Sequence, residues 1–263
     1  MRRVLLDRSL FVAVAILAAC ISAPTVRAAD PDALWKLVHD RCVPDEQQHG
    51  DPAPCAVVVL GSGPISHYVV LKDIRGATQY LVIPTAKVTG IEDPAILDPA
   101  SPNYFAAAWN QRSYTEAAAG PNLPHDAISL AINSPLARSQ NQLHIHIDCL
   151  RADVRAALEQ QRDAVGDDWA PLAHPLVGHH YWAMRVIAPS LDGADPFKLL
   201  ASKRPGARET MGQQTLAVVG TVFAGDKPGF ILLNDSADLT AGDRAGSEEL
   251  QDHTCDLTHS GHS

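Results

Sequence analysis

Beyond its N-terminus the sequence lacks any apolar run near the roughly 20 residues that cross a bilayer. Mean hydropathy is −0.05 over 263 residues, which excludes a polytopic membrane protein. Basic residues are scarce: 21 Lys and Arg stand against 30 Asp and Glu. Four of the arginines and one aspartate lie in the first 29 residues, so the remainder carries a net charge of −12. That balance argues against nucleic acid as a partner. It leaves room for a phosphate-bearing small molecule, which needs only local donors. Internal repeats, low-complexity tracts and linkers are also missing. Residues 30–263 are therefore expected to form one domain, long enough for a substantial core.

What is present begins with a targeting pattern. Arg2, Arg3 and Arg8 precede an apolar stretch from Leu10 to Ile21, and Val26-Arg27-Ala28 offers small residues for cleavage before Ala29. Leu17-Ala18-Ala19-Cys20 also fits a bacterial lipobox, and retention as a short anchor is a third reading. All three export the chain. Residues 1–29 are read as a signal or anchor segment and set aside from the fold.

Four cysteines remain: Cys42, Cys55, Cys149 and Cys255. An even count in an exported chain favours two disulfides. Cys42 and Cys55 bracket VPDEQQHGDPAP, which reads as a loop too polar to pack by itself. Pairing them locally leaves Cys149 with Cys255, tying a late segment to the strand that carries two histidines.

Asp30-Pro31 opens a predicted helix over 31–40. Strand-like runs follow at 55–60, 67–73 and 79–85, separated by turn residues as in an antiparallel meander. Helices are predicted at 91–98, 103–120, 153–165 and 196–204, and further strands at 127–134, 141–150, 181–187, 215–223 and 229–235. The pattern is that of an α+β domain with an antiparallel sheet. Trp109, Tyr114, Trp169, Tyr181 and Trp182 read mostly as core, and the late histidines, His253 included, as solvated.

The stretch NQLHIHIDCL (141–150) carries the chemistry. Side chains alternate along a strand, so Leu143, Ile145 and Ile147 face a core while His144, His146 and Asp148 share the other face. A solvated polar face explains the alternation but not two histidines. A metal site is the second reading, because HxHxD approaches the HxHxDH signature of metallo-β-lactamase-like hydrolases. Cys149 stands at its last position, and only His174 and His179-His180 offer recruits. The third reading is a histidine nucleophile. Neutral imidazole attacks phosphorus when one nitrogen is free and the other is held in its tautomer by a hydrogen bond.

His144-Ile145-His146-Ile147 resembles the first four positions of the histidine-triad motif, in which the middle histidine is the nucleophile. Asn133 and Gln140 fall where that superfamily keeps an asparagine and a glutamine, and QYLVIPTAKVTGIED resembles its approach to the site. The run AINSPLARSQNQLHIHIDCLRADV, the loop between Cys42 and Cys55, YVVLKD and SEELQDHTC resemble the bacterial CDP-diacylglycerol pyrophosphatase family. The resemblance implies a histidine-triad-like fold with flanking helices. It also implies hydrolysis of CDP-diacylglycerol to CMP and phosphatidate, with no cofactor and no metal. It places the chain in the cell envelope, on the periplasmic side of the inner membrane, in contact with the membrane that holds its substrate. His146 is then the nucleophile and His144 its support. Asn133, Arg138, Gln140, Asn141 and Lys87 become candidates to hold the diphosphate, with Asp148 at the edge of the site.

Overall fold

Among the described residues ten strands form, most of them from runs rich in Val, Ile and Leu and all paired antiparallel: β1 (Val57–Val59), β2 (Tyr68–Lys72), β3 (Tyr80–Pro84), β4 (Ile128–Ile132), β5 (Ile145–Leu150), β6 (Ala170–Pro171), β7 (Trp182–Val186), β8 (Gln214–Phe223), β9 (Lys227–Ser236) and β10 (Gln251–Asp252). Their order is β1-β2-β3-β5-β4-β8-β9-β7-β6, with β10 pairing the far end of β5. This computed structural model describes residues 30–63, 65–120 and 123–258. The expected signal or anchor segment, His259 and His262 lie outside them. Among the described residues no helix is long and apolar enough to cross a membrane.

One face of the sheet carries Ile145, Ile147, Leu130, Val218 and Leu232 and packs on α3 (Tyr104–Asn110) and α6 (Pro196–Lys203). The other face is covered in two parts. Over β1–β3 lies a continuous helical run: α1 (Ala33–Leu37), a π-helical turn (Val38–Cys42) and α2 (Val43–His49). Over β8 and β9 lies α5 (Ala152–Gln161), through Val154 and Leu158. Cross-strand register sets Leu81, His146, Ala131, Ala217 and Leu233 in one row across this second face. His146 therefore sits between the two covers, beside a small alanine.

Three expectations need correction. The polar stretch after Cys42 is α2, not a loop. It rides on the buried Val38 and Cys42 of the preceding turn, so its own outer face can stay polar. The π turn just before Pro44 relieves the clash a proline ring makes with the carbonyl four residues back. The helix expected over 103–120 breaks into α3 and α4 (Ser113–Ala119), where the Gln111 amide is shared between the Ala107 and Ala108 carbonyls. Residues 91–98 hold only a short 3-10 turn, Pro94–Leu97.

Both expected disulfides are formed, Cys42–Cys55 with Cα atoms 5.7 Å apart and Cys149–Cys255 with 5.4 Å. They mark a chain that matures in an oxidising compartment, as exported proteins do.

Candidate active site

β5 is buried along its whole length, and its even-numbered side chains share the second face with His144 just ahead of it. His144 is partly exposed, and its Nδ1 lies 2.6 Å from the Gln142 carbonyl. A carbonyl only accepts, so Nδ1 carries the proton and Nε2 the lone pair. Gln142 is itself fixed, donating to Pro84 and Ala86 carbonyls at 3.0 and 2.8 Å. Burial lowers the pKa of His144, so the ring is neutral at neutral pH.

His146 meets His144 edge-on, with ring centroids 4.9 Å apart. It is 4% exposed, and neither ring nitrogen has a hydrogen-bond partner. Its Nε2 is 3.7 Å from Glu248 Oε2 and its Nδ1 is 4.0 Å from Asp73 Oδ2. Burial first, then the neighbouring His144, push its pKa down to about 3. The sequence reading gave His146 the held tautomer; in the structure His144 has it.

Glu248 is gripped by Asn133. Its Oε2 accepts from Asn133 Nδ2 at 2.9 Å, and its amide donates to Asn133 Oδ1 at 3.1 Å. Beyond it stands His253, with Nε2 3.6 Å from Glu248 Oε1 and Nδ1 2.6 Å from Asp148 Oδ2. Asp148 is fully buried, and its other oxygen accepts from Thr78 Oγ1 at 2.6 Å. Asp148 thus lies behind the site rather than at its edge, and His253 is half-buried against it rather than free in solvent. The Asp148 hydrogen bond raises the His253 pKa. With both Asp148 oxygens engaged, the three-residue metal cage of the rival reading loses its third ligand.

The histidines open on a cavity of about 660 Å³. Of the residues proposed from sequence, Asn133, Arg138, Gln140, His144 and His146 line it; Lys87, Asn141 and Asp148 do not. Arg138 is committed to Glu92 through two hydrogen bonds, and Gln140 ties down the helix start through Leu34 N and the Asp30 carbonyl. Lys87 is 3.7 Å from Asp32 and lies over the Trp35 ring. The backbone N–H of Asn141 donates to the Pro31 carbonyl at 2.7 Å. Two cations that sequence reasoning missed, Arg75 and Arg244, line the cavity, and among the described residues neither has an ion-pair partner. Leu34, Leu37, Leu71, Leu81 and Leu136 make the apolar part of the wall.

Glu248 and His253 were also missed as site residues. The signal lay in Cys255, whose bridge to Cys149 carries the late segment onto β5. Gly76 permits the same closure. It has φ +62°, and a Cβ there would lie 2.4 Å from His253 Cβ.

A neutral imidazole held by a backbone carbonyl, a second buried beside two carboxylates, free guanidinium groups and an apolar wall suit nucleophilic attack on the phosphorus of an amphiphilic substrate. The sequence profile of the CDP-diacylglycerol pyrophosphatase family matches residues 29–259. A CDP-diacylglycerol pyrophosphatase from Yersinia pestis is 44% identical over 232 residues, which cover 88% of this chain and 87% of that protein. The chain belongs to the CDP-diacylglycerol pyrophosphatase family.

Proposed function

We propose that this chain hydrolyses CDP-diacylglycerol to CMP and phosphatidate through a covalent histidine intermediate. The observation that carries the reading is one cavity in which His144, two unpaired arginines and a leucine wall meet. The arginines suit a diphosphate, and the leucines suit acyl chains that a soluble nucleotide does not have.

The geometry favours His144 over the motif-based choice of His146 as nucleophile. His144 is the ring with one nitrogen held, the other bearing its lone pair, and partial exposure on the cavity. His144 Nε2 attacks the phosphorus that bears cytidine, the anhydride bond to phosphatidate breaks, and phosphatidate leaves. Water then cleaves the P–N bond, releasing CMP and restoring the imidazole. His146, with Glu248 beyond it, packs edge-on against the ring and positions it, and the proton of that water passes to solvent. A second reading keeps His146 as nucleophile, on its middle position in the motif and the two carboxylates flanking it. In both, residues 30–263 act as one histidine-triad-like domain. The N-terminal segment delivers it to the periplasmic face of the inner membrane, where the lipid substrate lies.

Release of CMP from CDP-diacylglycerol in detergent micelles tests the activity. Quenched turnover with cytidine-labelled substrate, followed by peptide mapping, tests the nucleophile. An adduct on His144 is expected. An adduct on His146 transfers the role to that ring, and absence of CMP release removes the function.

A further inference from the structure

A second cluster lies on the same face of the sheet as His146, but over β9, and takes no part in the chemistry above. His179, Asp235 and Asp243 each bring one ligand atom to within 4.8 Å of the others. Asp235 is 8% exposed, and its Oδ2 has no hydrogen-bond partner. A buried carboxylate oxygen left unpaired is costly and calls for a counter-charge or a proton. Its Oδ1 is held by the Ser236 amide at 2.7 Å, and Asp243 Oδ1 by the Ala245 amide at 2.7 Å.

The imidazole is oriented from behind. His179 Nδ1 is 2.7 Å from Glu249 Oε1, which also accepts from Tyr181 OH at 2.8 Å. Nδ1 is therefore the donor, and in the neutral ring the other nitrogen carries the lone pair. A histidine backed by a carboxylate in this way is the usual arrangement of a metal ligand.

We propose that His179, Asp235 and Asp243 bind one divalent transition-metal ion of the zinc or manganese class. One imidazole with two carboxylates selects such an ion over calcium or magnesium, which prefer all-oxygen sites. The three ligands come from the turn before β7, from β9 and from the loop at 237–246. That loop leads to the active cavity. The Arg244 and Ala245 carbonyls accept from Ser134 Oγ and Ser134 N, and Glu248 follows in the next turn. The ion thus fastens the loop that carries Arg244 and Glu248 to the site.

The test uses the full-length purified protein, stripped with chelator and dialysed. Zinc or manganese is then titrated in, with metal content read by mass spectrometry and unfolding by calorimetry. One equivalent is expected to bind, and a hundredfold excess over Kd to raise Tm by roughly 5–10 °C. Magnesium at the same concentration is expected to leave Tm unchanged. Asp243→Asn, on an outer loop, and His179→Gln should each abolish the shift while remaining folded. Absence of binding by either ion, or an undiminished shift in both variants, overturns the proposal. So does an Asp235→Asn protein that is more stable than the parent while the parent binds no metal, because a shared proton then explains the pair. None of these readouts depends on the hydrolytic reaction.

Discussion

At the residue scale, burial decides what each imidazole is. Both rings on the second face of β5 are driven below their ordinary value of 6.5 and stay neutral. The rate, kcat/KM, should therefore hold its plateau as pH falls from 8 to 6.5, with the acid limb beginning lower. CMP release across that range is the check. His144→Ala should lose at least ~10³-fold in kcat, the scale on which a catalytic unit fails without its central member. His146→Asn should lose less, about 10²-fold, the scale of a small misplacement of the reacting group. Equal and near-normal rates for both variants would sink the histidine route altogether. Stability follows from the same shift. His146 has a folded pKa of about 3 against 6.5 unfolded, so the unfolded chain binds more protons between those values. Its contribution is complete above about pH 6.5 and drains away as pH falls towards 3. Urea midpoints at pH 7.5 and 5 should converge in His146→Asn relative to the parent.

At the scale of elements, the two disulfides do different things. Cys42–Cys55 closes a span of 13 residues and holds the helical run to β1. Its removal by paired alanines should cost about 3 kcal/mol in the chain-entropy model and leave most of kcat. Cys149–Cys255 spans 106 residues, and its removal should cost nearer 4.7 kcal/mol. It should also lower kcat at least ~10-fold, because His253 and Glu248 lose their anchor. Denaturation and turnover of the two double variants separate these effects. Strand positions were legible because alternation and turn residues are local signals, and both bridges because Cys42 and Cys55 bracket a short stretch, which leaves Cys149 for Cys255. The histidine face was legible for the same reason, since Ile145 and Ile147 can face only one way. The roles of Asp148 and Lys87 were not, because their partners Thr78, His253 and Asp32 are distant in sequence. The helix at Val43–His49 was hidden because what stabilises it lies in the residues before it and in a bridge.

At the scale of the whole molecule, an acidic protein has a cavity lined by both arginines and leucines. Leu136 is a partly exposed loop residue on that wall. Leu136→Asp should raise KM roughly tenfold for long-chain CDP-diacylglycerol, the scale of losing one apolar contact. A short-chain, water-soluble analogue should be unaffected, and the same KM change for both substrates would count against an acyl-binding wall. The assembly of the site has an order in time as well as in space. β5 supplies the histidines at 144 and 146, yet Glu248, His253 and Cys255 are made about a hundred residues later. A ribosome-bound or half-translocated chain holds these histidines without Glu248 and His253, and thiols kept reduced leave the late segment unfastened. The full hydrolytic rate is thus expected only once synthesis has passed Cys255 and its bridge to Cys149 has closed.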